Sequence, residues 1–60
     1  MRETVLMKGE MATRVIVTTE AGTEVLDEED EVLESYPDDQ HATVLARFLG
    51  QGWEVEEDGP

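Results

Sequence analysis

The sequence predicts an α+β domain: a small antiparallel sheet of three to four strands with one helix packed on one face, in the order β-β-(β)-α-β. Three observations predict it. Residues 13–19, Thr-Arg-Val-Ile-Val-Thr-Thr, are rich in β-branched side chains, which suit a pleated and packed strand. Within residues 37–49, Val44, Leu45, Phe48 and Leu49 recur at helical spacing, with Ala42 and Ala46 nearby. Trp53-Glu54-Val55-Glu56 then alternates apolar with acidic residues, as a half-buried strand does.

After the 13–19 strand, Glu20-Ala21-Gly22 reads as a three-residue hairpin loop, because Gly takes a left-handed conformation cheaply. Residues 23–27 return as the second strand. That register sets Val17 opposite Val25 and Ile16 opposite Leu26, so Ile16 and Leu26 share the face away from Val17 and Val25. The stretch Asp27 to Glu31 admits either a helical stripe through Val32, Leu33 and Tyr36, or a turn followed by a strand over 31–35. The second is preferred, because the hairpin already uses Val25 and Leu26.

Ser35 is a candidate cap, and Pro37, Asp38 and Asp39 suit a first helical turn, so the helix is expected over Pro37 to Leu49. Gly50 or Gly52 ends it. Residues 57–60 read as a frayed tail. Residues 1–10 read as an extra edge strand around Thr4 to Met7, with a turn at Lys8-Gly9-Glu10, or as a flexible extension. Met11 is an alternative start that would make those ten residues dispensable. No repeat or linker divides residues 1–60, so one domain is expected.

Charge is the strongest compositional signal. The 60 residues hold 16 Asp and Glu against 4 Lys and Arg, a formal net charge of −12, and no Lys or Arg lies between Arg14 and Arg47. A field of that sign repels phosphate backbones and anionic lipid surfaces. Direct nucleic-acid binding and membrane attachment are therefore not expected. The absence of cysteine removes disulfides, zinc ribbons and thiol nucleophiles. The chain has no apolar run of membrane-spanning length and no signal-peptide layout, so a cytoplasmic location is expected.

No constellation carries catalysis. His41 is the sole histidine and has no nucleophile or second ligand beside it in sequence. It reads as a first-turn residue partly covering the sheet edge, on which reading His41→Ala leaves fold and function nearly unchanged. Asp38, Asp39 and His41 lack the pattern of a metal site, and the acids from Asp27 to Glu31 lack the alternation and central Gly of a calcium loop. Paired-carboxylate chemistry needs acids in contrasting environments across a cleft, which these exposed acids do not offer. Gly50-Gln51-Gly52 follows a helix and has no Lys, so it reads as a cap and not a phosphate loop. Trp53 reads as core. No cofactor and no metal are expected.

Two explanations of the charge remain. Near-absence of Lys and acids spread along the chain resemble the composition of proteins from salt-in halophilic archaea, where concentrated salt screens self-repulsion. The alternative is an acidic nucleic-acid mimic that inhibits a DNA-binding protein. The sequence favours the first: a small non-catalytic interaction or regulatory module with a halophile-like surface, joined to a protein partner or to itself, and surrounded by non-specific cations. Its candidate interaction surface is Ile16 and Leu26, left uncovered by the helix, with Glu28, Glu29, Asp30 and Glu31.

Overall fold

The computed structural model describes residues 1–10 and 12–59. It contains β1 (Arg2–Lys8), β2 (Ala12–Thr19), β3 (Gly22–Leu26), β4 (Val32–Tyr36), α1 (His41–Gly50) and β5 (Glu54–Gly59). The α+β class holds, but the sheet has five strands, in the order β4-β3-β2-β1-β5, and every pairing is antiparallel. The first four strands form a meander. After α1 the chain returns at the opposite end of the sheet and places β5 beside β1.

That return corrects the reading of both ends. β1 is no edge strand or loose extension: it pairs with β2 on one side and β5 on the other, and its Thr4 and Leu6 have no solvent exposure. β1 is thus integral to the sheet, and its Leu6 to the core, whereas Met11 itself lies outside the described residues. Residues 57–59 are no frayed tail either, because Glu57, Asp58 and Gly59 pair with Val5, Thr4 and Glu3. A bulge shifts this ladder between Val5 and Leu6 and leaves Glu56 as the extra residue.

The β2–β3 hairpin differs from its expected register by one residue. Thr19 pairs with Gly22, so the turn is only Glu20 and Ala21, and Ile16 faces Val25 while Val15 faces Leu26. Side chains alternate along a strand, so this slip sets Ile16 with Val25 on one face and Val17 with Leu26 on the other. Gly22 belongs to the strand because its φ of 128° and the backbone of Tyr36 beside it leave no room for a side chain.

Asp27 organises the acidic turn as expected. Its carboxylate accepts from the amides of Glu29 and Glu31 at 2.8 and 3.0 Å, and Asp30 takes a left-handed φ of 63°. β4 follows, and by occupying Ser35 and Tyr36 in pairs with Glu24 and Thr23 it delays the helix to His41. The expected start at Pro37 is therefore four residues early. No serine caps the helix: Gln40 and His41 donate their amides to Thr23 Oγ1 and Asp39 Oδ1, at 2.9 and 3.0 Å.

The helix ends in a Schellman motif. Trp53 donates its amide to the Phe48 carbonyl and Gly52 to the Leu49 carbonyl, at 3.1 and 3.2 Å, with Gly52 at a φ of 95°. The same turn brings the rings of Phe48 and Trp53 edge to face at 5.4 Å. Leu6, Ile16, Val25, Val44 and Phe48 make the buried core, with Tyr36, Leu45 and Trp53 packed against it. At roughly 1.5–3 kcal/mol for each large apolar side chain fully buried, a core this small leaves a narrow margin over the entropy of ordering the chain. Among the described residues, no helix is long and apolar enough to cross a membrane.

Candidate functional site

Chemistry-bearing side chains gather in one place inside the protein. His41 is 2% exposed and lies between two strands: its Nε2 meets Thr4 Oγ1 at 2.7 Å and its Nδ1 meets Thr18 Oγ1 at 2.8 Å. From Thr4 the chain of bonds runs on to Asp58 Oδ1 at 2.8 Å, and Asp58 is held by Arg2 at 2.9 Å. From Thr18 it runs to Thr23 at 2.9 Å and on to the carbonyl of Asp38 at 3.0 Å. The expectation that His41 only covers the sheet edge is corrected: it joins α1 to β1 and β2. Its partners, Thr4, Thr18 and Thr23, look like ordinary strand residues in the sequence, and no local signal pairs them with a histidine.

Proton counting fixes the tautomer. Thr4 spends its hydroxyl proton on the Asp58 carboxylate, so Nε2 of His41 must be the donor to Thr4, and neutral Nδ1 must accept from Thr18. The proton of Thr23 then faces two acceptors, Thr18 and the Asp38 carbonyl. Protonating Nδ1 would reverse the chain, with Thr18 donating to Thr23 and Thr23 to Asp38, and would supply every link. One more hydrogen bond is worth about 1 kcal/mol net, whereas burying a cation costs several kcal/mol. Burial therefore dominates. Together with the positive charge of Arg2 it holds the imidazole below its ordinary value of 6.5, against the opposing pull of Asp58 and Asp39.

This network is a structural joint. Asp38, Asp39 and His41 are engaged within the fold: Asp39 accepts the His41 amide, Asp38 accepts from Gln40 Nε2, and both imidazole nitrogens face threonines. Every buried side-chain nitrogen and oxygen among the described residues has a partner. His41 lines neither the hollow at Glu3, Val5 and Glu57 nor the one at Val17, Gly22 and Tyr36.

The second candidate is the face of the sheet turned away from α1. Thr4, Leu6, Ile16, Thr18, Thr23 and Val25 point toward the helix, so their alternates Val5, Val15, Val17 and Leu26 point the other way. Successive register pairs place Glu57, Val5, Val15, Leu26 and Val32 in one row across all five strands. Beside it runs a second row of Gly59, Glu3, Val17, Glu24 and Ser35. The apolar members of β1, β2 and β3 remain half-buried, and Val32 is 47% exposed. At the β5 end, Glu3, Val5 and Glu57 with their neighbours line a hollow of about 400 Å³.

Of the residues the sequence proposed for contact, Leu26 lies on this face, whereas Ile16 is wholly buried beneath α1 and offers no surface. The one-residue register error put it there. Glu28, Glu29, Asp30 and Glu31 are exposed in the turn after β3, and Glu28 lies 3.5 Å from Arg14. Among known proteins the chain matches no family, no curated relative and no solved structure.

Proposed function

We propose that the chain is a non-catalytic interaction module that docks a protein through the uncovered face of its sheet, its acidic surface being an adaptation to concentrated salt. The observation that carries this reading is the aliphatic row Val5, Val15, Leu26 and Val32, which crosses four neighbouring strands with no helix or strand of the described residues above it. A contiguous apolar patch of this kind on a small protein marks a contact surface. The acidic turn at Glu28 to Glu31 borders the Leu26 end of the row. Solvent adaptation accounts for the remaining acids: among the described residues only Glu28, Glu34 and Asp58 form ion pairs.

Val15 is central in the row, so Val15→Asp tests the reading. Wild type and variant, each shown folded by circular dichroism, are used as bait in extract of the source cells, and retained proteins are identified by mass spectrometry. A protein held by the wild type and lost with Val15→Asp supports a docking face. Equal retention by both moves the contact elsewhere and sinks the proposal.

A further inference from the structure

The distribution of the cations says more than their number. Arg2 lies on the helix side of β1, bound to Asp58 next to Thr4. Lys8 and Arg14, on the same side of β1 and β2, stand 5.9 and 5.2 Å from the Trp53 ring. Arg47 is on α1 itself and binds Glu34 at 2.6 Å. All four bases of the chain therefore belong to the helix side. The opposite face carries no Lys or Arg: beside its aliphatic side chains and the neutral Thr13 and Ser35 stand carboxylates, with Glu3 and Glu24 flanking Val17, Glu57 ending the aliphatic row and Glu54 paired with Met7.

We propose that the occupant of this face is a basic amphipathic segment of a partner protein, an apolar ridge flanked by Lys or Arg. The proposal rests on the docking reading above and adds the chemistry of the partner. A second copy fits poorly, because face-to-face pairing sets Glu3, Glu24 and Glu57 against an equally acidic surface with no cation to answer them. A ridge of Leu or Ile along Val5, Val15 and Leu26 would exclude water, and flanking cations would reach Glu3 and Glu24 on one side and Glu54 and Glu57 near the β5 edge. The aliphatic row supplies the part of the affinity that persists in salt, and the carboxylates select a basic partner.

The test uses the full chain with labelled Val and Leu methyl groups, at the lowest salt that keeps it folded. It is titrated with a synthetic Leu/Lys amphipathic peptide and with a matched Leu/Gln peptide. The expected result is that the Leu/Lys peptide shifts the methyl signals of Val5, Val15, Val17 and Leu26, and binds at least about tenfold tighter than the neutral one. Glu3→Gln with Glu24→Gln should weaken it severalfold more than the charge-matched pair Glu28→Gln with Glu29→Gln. Equal affinity for both peptides on this face leaves docking intact and overturns the basic partner. Equal loss in the two double variants overturns it as well, since bulk charge would then suffice. Shifts confined to the helix side or the acidic turn remove the docking reading too. A dimer through this face in sedimentation would replace the basic segment with a second copy.

Discussion

Thr4 and Thr18, on adjacent strands, hold the two ring nitrogens of His41 between their hydroxyls, at 2.7 and 2.8 Å. Through them the first residue of α1 is tied to two strands at the centre of the sheet. His41→Ala should therefore destabilise the fold by about 3 kcal/mol, through the lost side-chain volume and the two buried hydroxyls left short of partners. Urea unfolding monitored by Trp53 fluorescence measures this. An unchanged midpoint would show that the joint contributes nothing.

The same imidazole makes stability depend on pH. Its folded-state value lies below the ordinary 6.5, because burial and Arg2 disfavour the cation. As pH falls below 6.5 the unfolded chain takes up a proton that the native state refuses, so the contribution is full above 6.5 and declines below it until the native imidazole titrates. Asp58 and Glu34 are shifted below their ordinary 3.8 and 4.5, chiefly by hydrogen bonds from Arg2 and Arg47, so their contributions persist above those values and fade only in stronger acid. A nuclear magnetic resonance titration of His41 should give a midpoint under 6.5. A higher midpoint would mean that completing the hydroxyl chain outweighs burial.

Gly22→Ala should be among the most damaging small substitutions in the chain. The φ of 128° is unfavourable for any side chain, and the new methyl would overlap the Tyr36 carbonyl, prying β4 from β3. A loss of about 3 kcal/mol or more is expected in urea unfolding. Gly50→Ala is the control, since nothing stands near its added methyl.

Phe48→Ala and Trp53→Ala should each unfold the protein or nearly so. Phe48 is 6% exposed in the core, and Trp53 closes over it at the Schellman turn. Aromatic truncations of this kind cost about 3–5 kcal/mol, which approaches the whole stability of a small domain. Circular dichroism in dilute buffer checks it. A well-folded Trp53→Ala protein would move Trp53 out of the core.

Salt should stabilise the native state. Raising potassium chloride from about 0.1 to 3 M shrinks the Debye length from roughly 10 Å to under 3 Å and screens repulsion more in the compact chain than in the expanded one. The melting temperature followed by Trp53 fluorescence should rise substantially. A flat profile, with tight low-salt binding to a DNA-processing enzyme, would favour the nucleic-acid mimic instead.

The sequence made the β2 strand, the acidic turn, the helical stripe of Val44 and Phe48, and the glycine stop at Gly52 legible, because each is a local pattern of shape or turn chemistry. It did not reveal the face of Ile16. A glycine that looked like loop is a strand residue, and one position of register reverses every side chain that follows. β1 was obscure for a related reason. The alternates that point at the core are Thr4 and Leu6, and a buried threonine leaves no hydrophobic mark. The His41 network joins residues up to 56 positions apart, so nothing in a local window could assemble it. The uncovered aliphatic row became visible only when four strands aligned Val5, Val15, Leu26 and Val32.

The interior position of β1 also dictates the order in which the sheet can be completed. As the chain emerges during synthesis, β1 to β4 can form successive hairpins, yet one side of β1 keeps bare amides and carbonyls until residues 54–59 arrive. The link between Arg2 and Asp58 spans 56 positions, so this ladder carries the largest loop-closure cost in the fold. The nascent protein therefore has an adhesive interval between the making of β4 and the docking of β5. Slow refolding and early aggregation should both trace to that last ladder, and the acids of β5 then leave a finished edge that repels further strands.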